Sequence, residues 1–330
     1  MTFSDVGQGA ARSPRGKEGP IVKRACHHGF ATQMAKKRVA VTGGSGRVGE
    51  HIVKALVDYG HHVINIDRRQ ADKPIAKMVY CDLRQRELVQ PILDQVDAVI
   101  HLAEIPHISM PYSPDYIFAH NTAATSCILQ TAADLGLERV IYTSSCQVYG
   151  MWGGQGVRPE WLPMDERHPV KPRQAYAMSK LANEQYAAMV AELHGLSVAV
   201  FRLPSVTTWW PTPDQMKKGS GYMWRFKGQL EEFGTYVHAE DVAAAYLTAL
   251  ESPKPGYEVY HLSAREVMSP APLREQLKHD YPDWPELPVD WPAFKSPMIC
   301  DKAKGHFDWD PKWNMVEVYR EAFGKDPGAP

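Results

Sequence analysis

Tyr176 and Lys180 stand four residues apart in the run QAYAMSKLANEQY, downstream of Ser145 in VIYTSSCQVYG and of a glycine loop in VAVTGGSGRVG. On a helix, residues at this spacing share a face one turn apart. An ammonium group there favours a phenolate, so the spacing predicts that Tyr176 titrates below its ordinary value of about 10. The positive ring of an oxidised nicotinamide would push the same way. A tyrosine tuned like this takes a proton from an alcohol as hydride leaves the carbon, and returns it in the reverse direction. The Ser145 hydroxyl can hold the same oxygen in line. A bare Y-x-x-x-K is more often two surface residues of an amphipathic helix. The order of glycine loop, serine and tyrosine–lysine pair makes hydride transfer at a secondary alcohol or ketone the better reading.

The glycine loop carries two overlapping patterns. Gly44, Gly46 and Gly49 fit G-x-G-x-x-G, and Gly43, Gly46 and Gly49 fit G-x-x-G-x-x-G. The loop follows an apolar strand (KRVAVT) and precedes a helical pattern, which is the context that gives such a motif meaning. Glycines let the backbone approach a pyrophosphate, and a helix starting near Arg47 and Val48 offers N–H donors and a positive dipole end. Asp67 closes the second strand, where a carboxylate accepts from ribose hydroxyls and repels a 2′-phosphate. NAD is therefore expected over NADP, although Arg68 and Arg69 next to it pull the other way. Asp82 ends the third strand, either near the adenine or as a plain turn residue.

These groups need a scaffold, and the chain supplies alternating elements. Short, nearly continuous apolar strands (KRVAVT, HHVINID, KMVYCDL, DAVIHLA, RVIYTSS, SVAVFRL) are separated by helical patterns that stop at Gly60, Gly136 and Gly195. ELVQPILDQ reads as a short helix interrupted by Pro91. The alternation predicts an α/β fold, a Rossmann-type doubly wound parallel sheet. After Leu203 the sequence turns rich in Trp, Pro and Gly. Residues 34–206 and 236–265 are read as the NAD-binding domain, and 207–235 with 266–330 as a smaller substrate-binding lobe. Residues 1–33 show no periodic apolar face and are expected to be a disordered extension.

The chain has 330 residues, 44% hydrophobic, with a formal net charge of −1. Neither a basic excess nor a long apolar run points to nucleic acid or membrane as partner. Its five cysteines (Cys26, Cys81, Cys127, Cys146 and Cys300) form no C-x-x-C pair and no zinc spacing, so no metal site is expected and a reduced, cytoplasmic setting fits.

The ensemble resembles the extended short-chain dehydrogenase/reductases, the NAD-dependent epimerase/dehydratase family, over roughly residues 36–320. TGGSGRVG looks like that family's T-G-x-x-G-x-x-G, YAMSK like its Y-x-x-x-K, SSCQVYG like its serine strand, and TYVHAEDVA like the segment that follows its substrate region. HLA at 101–103 resembles its fourth-strand motif. The resemblance implies that Leu102 and Ala103 meet the cofactor, that Lys180 also holds the nicotinamide ribose, and that Asn121 supports the site. It also implies a sugar or nucleotide-sugar substrate and a homodimer built on the helices around 115–135 and 176–194.

Departures from the family narrow the chemistry. Cys146 and Gln147 stand where sugar-nucleotide dehydratases carry an Asp-Glu pair, which disfavours dehydration. Arg202-Leu203-Pro204-Ser205 replaces R-Y-F-N and is somewhat similar to a segment of uronate dehydrogenases, in which the arginine meets a sugar carboxylate. Arg202 would then bind substrate, or else form a structural salt bridge. Gln147 and Ser205 are further substrate candidates. Glu104 replaces a small residue after His-Leu-Ala, and is expected to grip sugar hydroxyls, act as a second base or turn out to solvent. His107 is a loop histidine with a weaker claim. Trp152, Trp161, Trp209, Trp210 and Trp224 either stack on a sugar or fill a lobe core. The leading reading is a hydride-transferring enzyme of the epimerase or dehydrogenase type. A sugar-acid dehydrogenase, a non-catalytic NAD sensor and a reductase of apolar ketones are the alternatives.

Overall fold

Along each strand, successive side chains face opposite sides of the sheet, so an unbroken apolar run is stable only if both faces are covered. The computed structural model describes residues 36–106, 111–219, 221–227, 230, 232–253 and 255–330. The expected N-terminal extension, His107 and the Trp224 side chain lie outside what it describes. Six strands appear where the apolar runs predict them: β1 (Arg38–Thr42), β2 (His62–Ile66), β3 (Lys77–Val79), β4 (Ala98–His101), β5 (Arg139–Ser145) and β6 (Ser197–Leu203). The short β7 (Ser205–Thr207) and β8 (Tyr236–His238) pair with each other, and β9 (Tyr257–His261) closes the main sheet. That sheet runs in the order β3-β2-β1-β4-β5-β6-β9, with every neighbouring pair parallel.

The two faces are legible residue by residue. Val39 and Val41 of β1, Ala98 and Ile100 of β4, and Phe201 of β6 enter one core, together with Ile52 and Leu56 of α1 (Gly49–Tyr59). Ala40, Val99, Val140 and Val200 enter the other. That second core is covered by α2 (Arg86–Leu93), α3 (Pro114–Asp134) and α4 (Ala175–His194). Gly60 and Gly195 end α1 and α4 in the left-handed conformation, the expected stop. Pro91 does not end α2, which continues to Leu93. The third strand is shorter than expected, stopping at Val79.

Two further cores form beyond the sheet. One gathers Cys146, Tyr149, Trp152 and Met164 with Phe233, Leu273 and Met298. The other gathers Met216, Phe226, Tyr236, Phe294 and Met315. Residues 146–164 thus pack with segments from 230 onwards.

Arg202 is fully engaged inside the protein. Its Nε donates to Glu184 Oε1 at 3.0 Å and its Nη2 to Glu184 Oε2 at 2.6 Å, while Nη1 donates to the Tyr149 hydroxyl at 2.8 Å. Tyr149 in turn donates to His261 Nε2, and His261 Nδ1 faces the Ile299 carbonyl at 3.2 Å. Burial pushes His261 down to about 3, so it stays neutral and can accept that bond. The structural alternative for Arg202 is therefore the correct one: its fork is spent on Glu184 and is not offered to a substrate. Removing one partner of a buried pair strands the other charge. Glu184→Ala is expected to lower unfolding free energy by about 3–5 kcal/mol, whereas the paired change Glu184→Leu with Arg202→Met is expected to recover much of that loss. Chemical denaturation of the three proteins checks this.

Candidate functional site

In an open parallel sheet, ligands bind beyond the carboxyl ends of the strands, where the strand order reverses. Here the reversal falls between β1 and β4, and a groove of about 670 Å³ opens there. Its floor is the glycine loop, with Gly43, Gly46, Arg47, Val48 and Gly49 all lining it. Gly43 adopts φ +73°, and a Cβ there would lie 2.9 Å from the Ala103 nitrogen. A Cβ on Gly49 would lie 2.2 Å from the Gly43 carbonyl oxygen. The loop is thus closed against β4 and against its own helix, and its surface towards the groove is backbone. α1 begins at Gly49, two residues later than the sequence suggests.

Asp67 lines the groove at the end of β2. Its Oδ2 accepts from the Ser45 N–H and its Oδ1 from the Arg69 N–H, both at 3.0 Å. Arg68 and Arg69 line the same end, and the Arg69 guanidinium donates to the Ser45 carbonyl. Asp82 also faces the groove but is clasped by Arg84, at 2.9 and 2.6 Å, which holds its carboxyl well below the usual range. Leu102 and Ala103 form the wall beyond β4. Asn121, expected to support the site, does so from below the groove wall and not as a cofactor contact. It is wholly buried and its amide bonds both the N–H (2.9 Å) and the carbonyl (3.0 Å) of Ile105, so it fixes the loop after β4 and does not line the groove.

At the inner end of the groove stand Ser145, Tyr176 and Lys180. Ser145 is the last residue of β5, and its Oγ accepts from the Gln147 N–H at 3.2 Å, capping the 3-10 turn Cys146–Tyr149. Tyr176 is on the first turn of α4 and Lys180 one turn later, with Nζ 5.5 Å from the Tyr176 ring centre. Ser145 and Tyr176 also line a second chamber of about 280 Å³, shared with Gln147, Trp152, Ser205 and Glu232. The two residues therefore sit at the junction between groove and chamber.

The electrostatics correct one expectation. Burial pushes the Tyr176 phenol up, against the downward pull of Lys180 and of a hydrogen bond with Ser145, and the net direction is upward. Lys180 does not act alone because Glu104 stands 2.7 Å from its Nζ, both side chains being almost fully buried. Glu104 is not turned out to solvent, although it borders the groove. Its Oε1 accepts from Tyr142 (2.8 Å), Thr125 (2.9 Å) and Asn183 (3.0 Å). Lys180 also donates to the Thr143 carbonyl at 2.6 Å. Burial acts to lower the Lys180 value, but Glu104 more than compensates and the ammonium is held above its ordinary range. Tyr142, Thr125, Asn183 and Glu184 were not singled out in the sequence. Asn183 and Glu184 follow Lys180 at helical spacings of three and four, a signal that was there to be read.

In the chamber, Ser205 donates to Glu232 Oε2 at 2.8 Å and Gly153 N–H to Glu232 Oε1 at 3.3 Å. The Gln147 amide oxygen is buried with no hydrogen-bond partner among the described residues. Of the tryptophans whose side chains are described, Trp152 lines the chamber; Trp161 and Trp209 are exposed, and Trp210 packs on Trp313.

The sequence profile of the NAD dependent epimerase/dehydratase family matches residues 39–263, from β1 to just past β9. The chain belongs to that family. Among family members it is similar to UDP-glucose 4-epimerase of Azospirillum brasilense, 30% identical over 248 residues that cover 66% of this chain and 69% of that one. It is also similar to dTDP-D-glucose 4,6-dehydratase of Bos taurus, 26% identical over 327 residues, 87% of this chain and 90% of that one. Its backbone matches a short-chain dehydrogenase/reductase superfamily protein of Agrobacterium tumefaciens solved with bound NAD, at TM-score 0.64 and 22% identity over 86% of this chain and 95% of that one. The closed glycine cradle fits the NAD-dependent chemistry of the family. Gly49→Ala is expected to weaken NAD binding by at least about tenfold, by forcing the loop away from Gly43. Calorimetric titration measures it, and an unchanged dissociation constant would contradict the assignment of the cradle.

Proposed function

We propose that this chain transfers hydride reversibly at a secondary alcohol or ketone carbon of a sugar or nucleotide-sugar-like molecule, with Tyr176 as acid and base. The observation that carries this reading is that Tyr176 and Ser145 line both the cofactor groove and the adjoining chamber. NAD, when bound, accepts and returns the hydride. The glycine loop would hold its pyrophosphate, Asp67 its adenosine ribose and Lys180 its nicotinamide ribose. Asp67 supports NAD over NADP, because its carboxylate repels a 2′-phosphate.

Within the chamber, Ser145 orients the substrate oxygen and Tyr176 takes or gives its proton. An unsatisfied buried acceptor costs roughly 1–3 kcal/mol, a loss that a substrate hydroxyl donating to Gln147 would remove. Ser205 and Glu232 add polar groups on the facing wall, and residues 207–235 with 266–330 act as the covering lobe. These features favour a polyhydroxylated substrate over an apolar ketone. Dehydration is disfavoured, since Cys146 is buried, with its thiol pushed well above the ordinary value, and Gln147 is no acid. With Arg202 committed to Glu184, the likeness to uronate dehydrogenases loses the residue it rested on. We favour an epimerase-type cycle, in which the reduced cofactor stays bound. Exposed Phe118 on α3 and Met189 and Leu193 on α4 support a homodimer through these helices.

Tyr176→Phe is expected to reduce turnover by about 10²–10⁴-fold while leaving NAD affinity nearly unchanged. Assay on a panel of sugars, sugar acids and nucleotide sugars, reading both product and reduced cofactor, tests this. Interconversion without net reduced cofactor identifies an epimerase, and its release a dehydrogenase. Full activity in Tyr176→Phe would remove the catalytic assignment.

A further inference from the structure

Lys180 and Glu104 make a buried ion pair directly beneath Tyr176, and the groups around it decide what that pair does. From β4 and the loop after it come His101 and Glu104, from α3 Thr125, and from β5 Tyr142, the Thr143 carbonyl and Ser145. Cys146 follows in the 3-10 turn, and α4 contributes Asn183 and Glu184. Burial pushes His101 down to about 4, and raises Tyr142 and the Cys146 thiol, so all three are uncharged near neutrality. Glu184 is matched by Arg202 at 2.6 Å. Among the described residues, Glu104 is therefore the counter-charge left to Lys180.

The carboxylate is also locked in place. Thr42 Oγ1 accepts from the N–H groups of Leu102 and Ala103, each at 3.2 Å, and can donate to His101 Nδ1 at 2.6 Å. That assigns the His101 proton to Nε2, which then donates to Thr125 Oγ1 at 2.9 Å, and Thr125 donates to Glu104. A directed chain of hydrogen bonds thus runs from the end of β1 to the catalytic lysine. Of the three ammonium protons of Lys180, Glu104 and the Thr143 carbonyl engage two, leaving one for a ligand in the groove.

We propose that Glu104 is a positioning residue that aims Lys180 and offsets its charge, so that the proton of Tyr176 is governed by the charge of the cofactor in the groove. With the pair locally neutral, the field at Tyr176 changes when a positive nicotinamide arrives and changes back when it is reduced. The phenol becomes a stronger acid when an oxidant is present to receive hydride, and a stronger hold on the proton returns after reduction. The offset also makes the groove less hostile to a cationic ring than an unopposed ammonium would be. This inference rests on Tyr176 as the proton carrier of the proposed function, but its test reads that proton directly and needs no substrate.

The full chain, labelled with ¹³C at the tyrosine ring ζ-carbon, is titrated by NMR, with Tyr176 identified by the signal lost in Tyr176→Phe. In Glu104→Gln without cofactor, the Tyr176 midpoint is expected to fall by about one pH unit or more, because the lysine is no longer opposed. Glu104→Asp, which keeps the charge, is expected to stay near the wild-type midpoint. The ratio of NAD⁺ to NADH dissociation constants, from calorimetry, is expected to rise by about fivefold or more in Glu104→Gln. A Tyr176 midpoint that is unchanged or raised in Glu104→Gln would overturn the proposal. Should that variant fail to fold, the wild-type chain suffices: the Lys180 ammonium, followed by ¹⁵N NMR without cofactor, is expected to titrate above its ordinary range because Glu104 opposes it, and a midpoint at or below that range would sink the idea. Loss of turnover with these titrations intact would instead count against the proposed function alone.

Discussion

An ammonium group taken out of water costs several kcal/mol unless a carboxylate and further hydrogen bonds replace its solvent. Lys180 meets that requirement through Glu104 and the Thr143 carbonyl, and the surroundings follow from it. Glu104 needs donors, and Tyr142, Thr125 and Asn183 provide them from β5, α3 and α4. The loop carrying Glu104 needs a fixed path, and Asn121 holds it at Ile105. α4 must dock in one register for Lys180 to reach the pair, and that register sets where Tyr176 stands. Without the pair, the serine and tyrosine would still share a neighbourhood, but nothing would fix the charge they feel.

The parallel sheet puts these parts at one end. The strand order reverses between β1 and β4 where the glycine loop leaves, and backbone packed against Ala103 leaves a bare peptide surface facing the groove. Beyond β5 the chain turns through Cys146–Tyr149 into a core made with distant segments, so the chamber wall is continuous with the sheet's last strand residues. Groove and chamber share Pro106, Ser145, Tyr176, Leu203 and Pro204, and of these Ser145 and Tyr176 carry the hydroxyl groups that stand where the two spaces join.

Much of this was legible in the sequence because it is local. Strand runs, glycine stops, the loop and the Y-x-x-x-K spacing each depend on residues near in the chain. The short β7 and β8 were not visible, since three-residue strands pair only because the tertiary fold brings Ser205 beside Tyr236. Pro91 suggests an interruption, yet α2 accommodates it near its end. The charge partners were the harder part. Glu104 looked like a solvated or substrate-facing group because its partners lie 21 to 79 residues away along the chain. Arg202 admits two readings in the sequence, because Glu184 lies 18 residues before it and meets it only in the folded chain. The acidity of Tyr176 is hidden for the same reason: helical spacing reveals Lys180, while burial and the opposing carboxylate emerge only in three dimensions.

The Arg202–Glu184–Tyr149–His261 assembly has a consequence for how new specificities can arise on this scaffold. It welds β6 to α4, the 3-10 turn and β9 immediately before Pro204 and Ser205 enter the chamber. A rigid root of that kind lets the residues beyond it drift without disturbing Tyr176 and Lys180. Laboratory evolution for another substrate would therefore do best to randomise positions 147, 205 and 232 and leave the weld untouched, since tolerance there and intolerance at the root are two sides of one arrangement.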